Sequence, residues 1–214
     1  MSGANTLASK RNNTLQYAWI AIFFGVLIWS GINPHDYPTW WLEVIPALVG
    51  AVVIWYTRDT FTLTRLAYLL ILVHCVILMV GGHYTYAEVP LFDWIGEQLG
   101  HSRNNYDKLG HLAQGFIPAI VTREIVIRKN VFNSTRWRNF FIVCFCLGFS
   151  AFYELIEWWV ALLSAEAAES FLGTQGYAWD TQSDMGWALL GAILSLLLLG
   201  KLHDRQLRAN GFNA

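Results

Sequence analysis

Residues 61–82 read FTLTRLAYLLILVHCVILMVGG. After Arg65 this stretch holds no formally charged side chain, and Tyr68 and His74 are its main polar interruptions. As an α-helix it rises about 33 Å at 1.5 Å per residue, enough to cross a hydrocarbon core of ~30 Å. A surface helix of that length needs a polar face, and this one has none. The stretch is therefore read as a transmembrane helix, stopped by the Gly81-Gly82 pair.

Five further apolar runs flank it. The first covers 16–31 and ends at Gly31, Asn33 and Pro34. The second covers 40–56 and carries Pro46, which membrane helices tolerate because neighbours satisfy the freed carbonyl. The others cover 106–127, 137–164 and 179–201. Composition agrees: 55% of the 214 residues are hydrophobic and 14% charged, against roughly 25% charged in soluble domains. Mean hydropathy is +0.38. The expected fold is all-α, a polytopic membrane bundle of six transmembrane helices forming one domain over residues 1–214.

Met1 to Asn13 is polar, with Lys10 and Arg11, and no small-residue cleavage site follows, so the first run is read as a retained helix. Net charge is −1, and the basic residues are scattered, so the chain carries no nucleic-acid footprint. Cys75, Cys144 and Cys146 lie in apolar runs and are read as buried thiols packing as small hydrophobes.

Twelve of the fourteen basic residues fall at the N-terminus, the second and fourth connections and the C-terminus. The positive-inside rule then places both termini in the cytoplasm. The other face has only Arg103, with Lys108 just inside the fourth helix. Tyr37, Trp40, Trp41, Trp94 and Trp179 would form its aromatic belt. Two long connections lie on that face. Residues 83–105 include Pro90-Leu91-Phe92-Asp93-Trp94-Ile95, a short amphipathic or re-entrant segment. Residues 165–178 hold Glu166, Glu169, Gly173 and Gly176, and read as a lid.

Ionisable residues inside spans cost at least a few kcal/mol each and call for a partner or a role. Here they cluster. The third helix ends Gly82-His83-Tyr84-Thr85-Tyr86, and the fourth begins Tyr106-Asp107-Lys108-Leu109-Gly110-His111. The fifth carries Tyr153-Glu154-Leu155-Ile156-Glu157-Trp158, and the sixth opens Trp179-Asp180-Thr181-Gln182-Ser183-Asp184. Asp107, His111 and Gln114 share a helix face, as do Glu154 with Glu157 and Asp180 with Asp184. Helical rise places His111 and Asp184 roughly 6–9 Å inside the outer ends of their helices, Glu157 about 10 Å in and Glu154 about 15 Å in. All fall in the outer half of the membrane and are placed to line one pocket.

Most of these carboxylates lack a basic partner in the sequence, and in low dielectric they cannot all stay ionised. Protons or a divalent cation must neutralise them. Histidine with several carboxylates suits Zn, Mn or Fe, and carboxylates alone suit Mg or Ca. The rival reading is a hydrogen-bonded network that joins helices, at only ~0.6 kcal/mol per bond. His74 reads as a helix-contact histidine. The Arg123 to Arg138 connection reads as a topology determinant that meets anionic lipid.

At these four motifs the chain resembles the bacterial YjdF-type inner-membrane family, a domain of unknown function. The match runs from the first span to Lys201. More distantly, Asp107-Lys108 with His111, Glu154, and Asp184 with Gly191 are similar to VanZ-like envelope proteins. The first resemblance implies a multi-pass inner-membrane protein and supplies no activity.

The leading expectation is a metal-dependent enzyme acting from the periplasmic side on a lipid or envelope-precursor head group. His83, Asp107, His111, Asp180 and Asp184 are the candidate ligands to a divalent ion (Zn, Mn or Mg). Glu154 and Glu157 are the candidate acid–base groups, with Lys108 meeting an anionic head group. Tyr86, Gln114 and Tyr153 face the substrate. The alternatives are a proton- or cation-coupled carrier or flippase, and a non-catalytic assembly subunit. The expected partners are membrane lipids. The oligomeric state is not legible.

Overall fold

A computed structural model describes residues 2–100, 102–163, 171 and 174–213, with side chains described from Thr14 onward. The described residues form seven helices and no strand: α1 Ser2–Ser30, α2 Tyr37–Thr57, α3 Arg65–Tyr84, α4 Pro90–Leu99, α5 Tyr106–Arg128, α6 Thr135–Leu163 and α7 Asp180–Ala209. A helix lies over each of the six apolar runs, and α4 occupies the amphipathic connection. Four helices (α2, α3, α6 and α7) are long and apolar enough to cross a membrane. The apolar part of α1 is shorter, Thr14–Ser30. Helix α5 has the length but not the composition.

Local chemistry sets the ends. Asp36 caps α2, its carboxylate accepting from the Thr39 amide at 2.8 Å. Thr64 caps α3 by accepting from the Ala67 amide, as short oxygen-bearing side chains do at N-caps. Gly81 and Gly82 do not stop α3, which continues to Tyr84. They are instead places of close approach. A Cβ on Gly81 would lie 2.1 Å from the Tyr86 ring, and one on Gly82 would lie 3.1 Å from Glu43 Cβ.

The helices sort into two groups. Phe23, Trp40, Val44, Ala47, Leu72, Cys75 and Met79 knit α1, α2 and α3 together. Ala119, Val126, Ile142, Cys146 and Ala192 do the same for α5, α6 and α7. Trp40 thus leaves the expected aromatic belt: it is buried and its indole N–H donates to Ser30 Oγ at 3.1 Å. Tyr37, Trp41, Trp94 and Trp179 are exposed. Cys144 is also exposed, because it stands two positions before buried Cys146 on the helix and so turns to the outer face. That outer face is apolar: Leu163 is 87% and Leu197 73% exposed. Contiguous apolar surface on this scale needs lipid to cover it.

Helix α5 is polar because it is the central helix. Its side chains face protein, from Tyr106 and Asp107 through Glu124 and Ile127. It packs on α7 backbone to backbone. A Cβ on Gly115 would meet the Ala188 carbonyl at 1.8 Å, and one on Gly191 would meet the Leu112 carbonyl at 2.2 Å. Small residues let membrane helices approach this closely.

A polar network ties the far end of the same pair. Fully buried Glu124 accepts from the Thr64 amide at 2.9 Å, Thr64 Oγ1 at 2.7 Å and Arg128 at 3.1 Å. Buried His203 lies 3.1 Å from Glu124 through Nε2 and 3.0 Å from Arg123 through Nδ1. A guanidinium only donates, so Nδ1 accepts and Nε2–H donates to Glu124. Arg123 also pairs with Asp204.

Candidate functional site

At the end of the bundle that carries the cluster, α2, α5 and α7 present their N-termini and α3 and α6 their C-termini, so residues distant in sequence meet there. The tight α5–α7 crossing carries Asp107 and His111 to Asp184. One possible ligand atom from each lies within 4.8 Å of the others. His111 Nε2 is 3.4 Å from Asp107 Oδ1 and 3.7 Å from Glu154 Oε1. On the other side of the ring, Nδ1 is 3.1 Å from Gln114 Oε1. An amide oxygen only accepts, so Nδ1 carries the proton. Nε2 is left to face the carboxylates, and a fixed tautomer of this kind is how outer partners orient a histidine ligand.

Glu154 is 8% exposed, and its Oε1 is buried with no hydrogen-bond donor among the described residues. Thr181 from α7 reaches the same carboxylate. Glu157, one turn on, is also buried, within electrostatic reach of Glu43, Asp107, Glu154 and Asp184.

Two cations border the group. Lys108 Nζ is 3.0 Å from Asp184 and 3.3 Å from Asp180. Arg103 is 2.5 Å from Asp180 and 3.9 Å from Asp107. The Tyr177 ring lies 5.4 Å from Lys108 and 5.5 Å from Arg103. Arg103 also donates to the Thr174 carbonyl at 2.6 Å, and Gln175 and Asn104 exchange two hydrogen bonds of 2.9 Å. Part of the expected lid, 174–178, is therefore pinned over the polar group. The rest of it apart from Phe171, including Glu166, Glu169 and Gly173, lies outside the described residues.

A third layer is aromatic. Tyr153 donates to Glu43 at 3.3 Å, and the Tyr86 hydroxyl lies toward the same carboxylate. The Tyr86 ring sits against both Gly81 and Gly110, where a Cβ would lie 2.1 and 2.8 Å from it. Thr85 and Tyr86 take positive φ, 56° and 43°, to turn the chain back toward that slot.

Residues 15–205 match the family described as "Predicted membrane protein (DUF2238)". The chain is also 50% identical over 186 residues to the inner membrane protein YjdF of Escherichia coli (strain K12), covering 87% of this chain and 89% of that protein. The chain belongs to the DUF2238 family. It is a multi-pass protein of the bacterial inner membrane, YjdF-like. No solved structure matches it.

Within this DUF2238 chain the expected residues divide. Asp107, His111, Gln114, Glu154, Glu157 and Asp184 come together. Asp180 is held by Arg103 and Lys108 at the edge of the group. Tyr86 and Tyr153 meet at Glu43. His83 is brought elsewhere: its Nδ1 lies 3.0 Å from the Ser30 carbonyl and its ring packs on Trp29 at 4.6 Å. The last turn of α3 points it at α1 instead of α5. Two residues escaped the sequence reading. Glu43 is a buried carboxylate four residues into the second run, and the cost of an ionisable group in a span was signal enough to find it. Arg103 was visible as the lone arginine of its face, but its pairing with Asp180 across 77 positions was not.

Proposed function

We propose that this protein is a six-span membrane enzyme with both termini in the cytoplasm. Its periplasm-facing site binds a divalent cation and acts on the head group of a lipid or lipid-linked envelope precursor. The observation that carries the reading is Glu154 Oε1, buried without a donor among the described residues and 3.7 Å from His111 Nε2. A buried carboxylate oxygen left unsatisfied costs at least a few kcal/mol unless something completes it. Asp107, His111 and Asp184 gather beside it. Six carboxylates (Glu43, Asp107, Glu154, Glu157, Asp180, Asp184) face two permanent cations, Arg103 and Lys108. A divalent ion answers both the charge and the unsatisfied oxygen.

Asp107, His111, Glu154 and Asp184 are the ligand set in this reading, and Gln114 holds the His111 ring. One imidazole among carboxylates fits Zn or Mn ahead of Mg. The bound cation supplies Lewis acidity and an acidic water. Glu157, one turn from Glu154, is the carboxylate for proton transfer, and Lys108 and Arg103 meet an anionic head group. The enzyme reading is favoured over a carrier because an apolar layer of Ala119, Val126, Ile142, Cys146 and Ala192 lies beneath the cluster.

The test is elemental analysis of purified protein with manganese and zinc titrations. Wild type should hold about one divalent ion per chain, and His111→Ala and Asp184→Asn should lose it while remaining folded. Wild type that neither carries nor takes up a divalent ion overturns the proposal.

A further inference from the structure

Outside the polar cluster, a crevice of about 480 Å³ runs between α4, α5 and α7. Phe92, Ile95 and Leu99 of α4, Leu109 and Leu112 of α5 and Trp187 of α7 make its walls. Asn105 and Lys108 are the amide and the charged side chain in its lining. Its size falls in the ~300–1,000 Å³ range of small-molecule sites.

The crevice and the cluster are two sides of one helix pair. Lys108 and Leu109 follow Asp107, Leu112 follows His111, and Trp187 comes three residues after Asp184. Lys108 belongs to both. It lines the crevice, and its ammonium bonds Asp184 and Asp180 at 3.0 and 3.3 Å.

We infer that the crevice holds one hydrocarbon chain of an anionic phospholipid, with the lipid phosphate at Lys108. The inference rests on the cation reading above and names the substrate class of that same site. Helix α4 is ten residues long, about 15 Å by its rise, too short to cross the ~30 Å core. Phe92, Ile95, Gly96 and Leu99 turn to the crevice, while Asp93 and Glu97 line a separate polar hollow with Arg103. A helix amphipathic in this way lies at the head-group level, and a chain entering beneath it meets apolar side chains throughout.

Lys108 decides the head group. Its ammonium only donates, and both its carboxylate partners are shared: Asp180 with Arg103, and Asp184 with the proposed cation. Once Asp184 turns to a cation, Lys108 keeps charge to offer a phosphate on its open side. A zwitterionic head group brings its own ammonium to the same place, beside Asp180 and Arg103, and loses that advantage.

The test is native mass spectrometry of the full-length protein in detergent, with phosphatidylglycerol or phosphatidylcholine of identical chains added. Phosphatidylglycerol should be retained about tenfold more strongly, a difference near 1.4 kcal/mol. Ile95→Trp fills the crevice from peripheral α4 and should lower that retention by a similar factor; Leu99→Trp, at the exposed end of α4, is the second block. Both should bind manganese as wild type does. Lys108→Gln should erase the preference between the two lipids. Equal retention of both lipids by wild type, or unchanged retention in both tryptophan variants, overturns the inference. Manganese titration of the same samples separates the two ideas. Binding of manganese without lipid preference sinks only the lipid inference, and lipid preference without manganese binding sinks only the cation reading.

Discussion

His111 Nε2 and Glu154 Oε1 face each other at 3.7 Å across the α5–α6 interface, and that glutamate oxygen has no donor. Glu154→Gln keeps the shape and removes the charge. Divalent-cation affinity should fall by at least about 10–100-fold, the range that outer partners of a ligand already command. Gln114→Leu, which removes the acceptor for His111 Nδ1, should fall within that range. Calorimetric titration reads both. In chelator, Glu154→Gln should unfold at the wild-type temperature or above, because like charges in one pocket repel.

Gly115 and Gly191 let α5 and α7 touch through their backbones. Gly115→Leu or Gly191→Leu drives a side chain into a carbonyl, and overpacking of this kind costs ~1–3 kcal/mol or more. Thermal midpoints in detergent should drop by several degrees and cation binding should weaken with them, because the same crossing sets Asp184 beside His111. Gly148→Ala is the control: its Cβ would meet nothing within 4 Å, so its midpoint should match wild type.

The buried Glu124–His203 contact couples α5 to α7 at the opposite end. His203→Leu leaves Arg123 short of an acceptor and Glu124 short of a donor. Breaking one partner of a buried pair costs about 3–5 kcal/mol. Adding Glu124→Gln should recover part of that loss, with a coupling of about 0.5–3 kcal/mol in a double-mutant cycle. Strict additivity of the two changes would contradict the bonded geometry.

Gly110 gives the Tyr86 ring its slot. Gly110→Ala places a methyl 2.8 Å from that ring and should push the hydroxyl off Glu43. Tyr86→Phe removes the hydroxyl without moving the ring. If cation affinity changes alike in the two variants, the hydroxyl matters; if only Gly110→Ala weakens it, the ring position does.

Six spans with both termini inside predict opposite reporter signals at the two ends of the connections. A fluorescent protein fused after Asn213 should fluoresce, and alkaline phosphatase inserted after Glu88 should be active. The reverse pair of results would invert the orientation assigned from the basic residues.

Much of this was legible in the sequence because its signal is local. Apolar runs set the positions of six helices to within a few residues, except that α1 begins at Ser2 and α7 runs on to Ala209. Helical spacing put Asp107 with His111 and Glu154 with Glu157 on shared faces. Spacing says nothing of which way a face points. His83 had the residue type of a ligand, yet the last turn of α3 aims it at Ser30 and Trp29. Trp40 looked like a belt residue, yet α1 covers it.

The sequence by itself determined an all-helical membrane protein with one cluster of costly polar residues toward one end, because hydropathy and charge follow from composition along the chain. Only the tertiary structure decided which of those residues meet. The Gly115–Ala188 crossing sets the distance between α5 and α7, and through it the 4.8 Å grouping of Asp107, His111 and Asp184. The fold also supplied Glu43 and Arg103. Contacts across 77 and 110 positions depend on how helices pack, and packing is set by shape between helices, which no single run encodes.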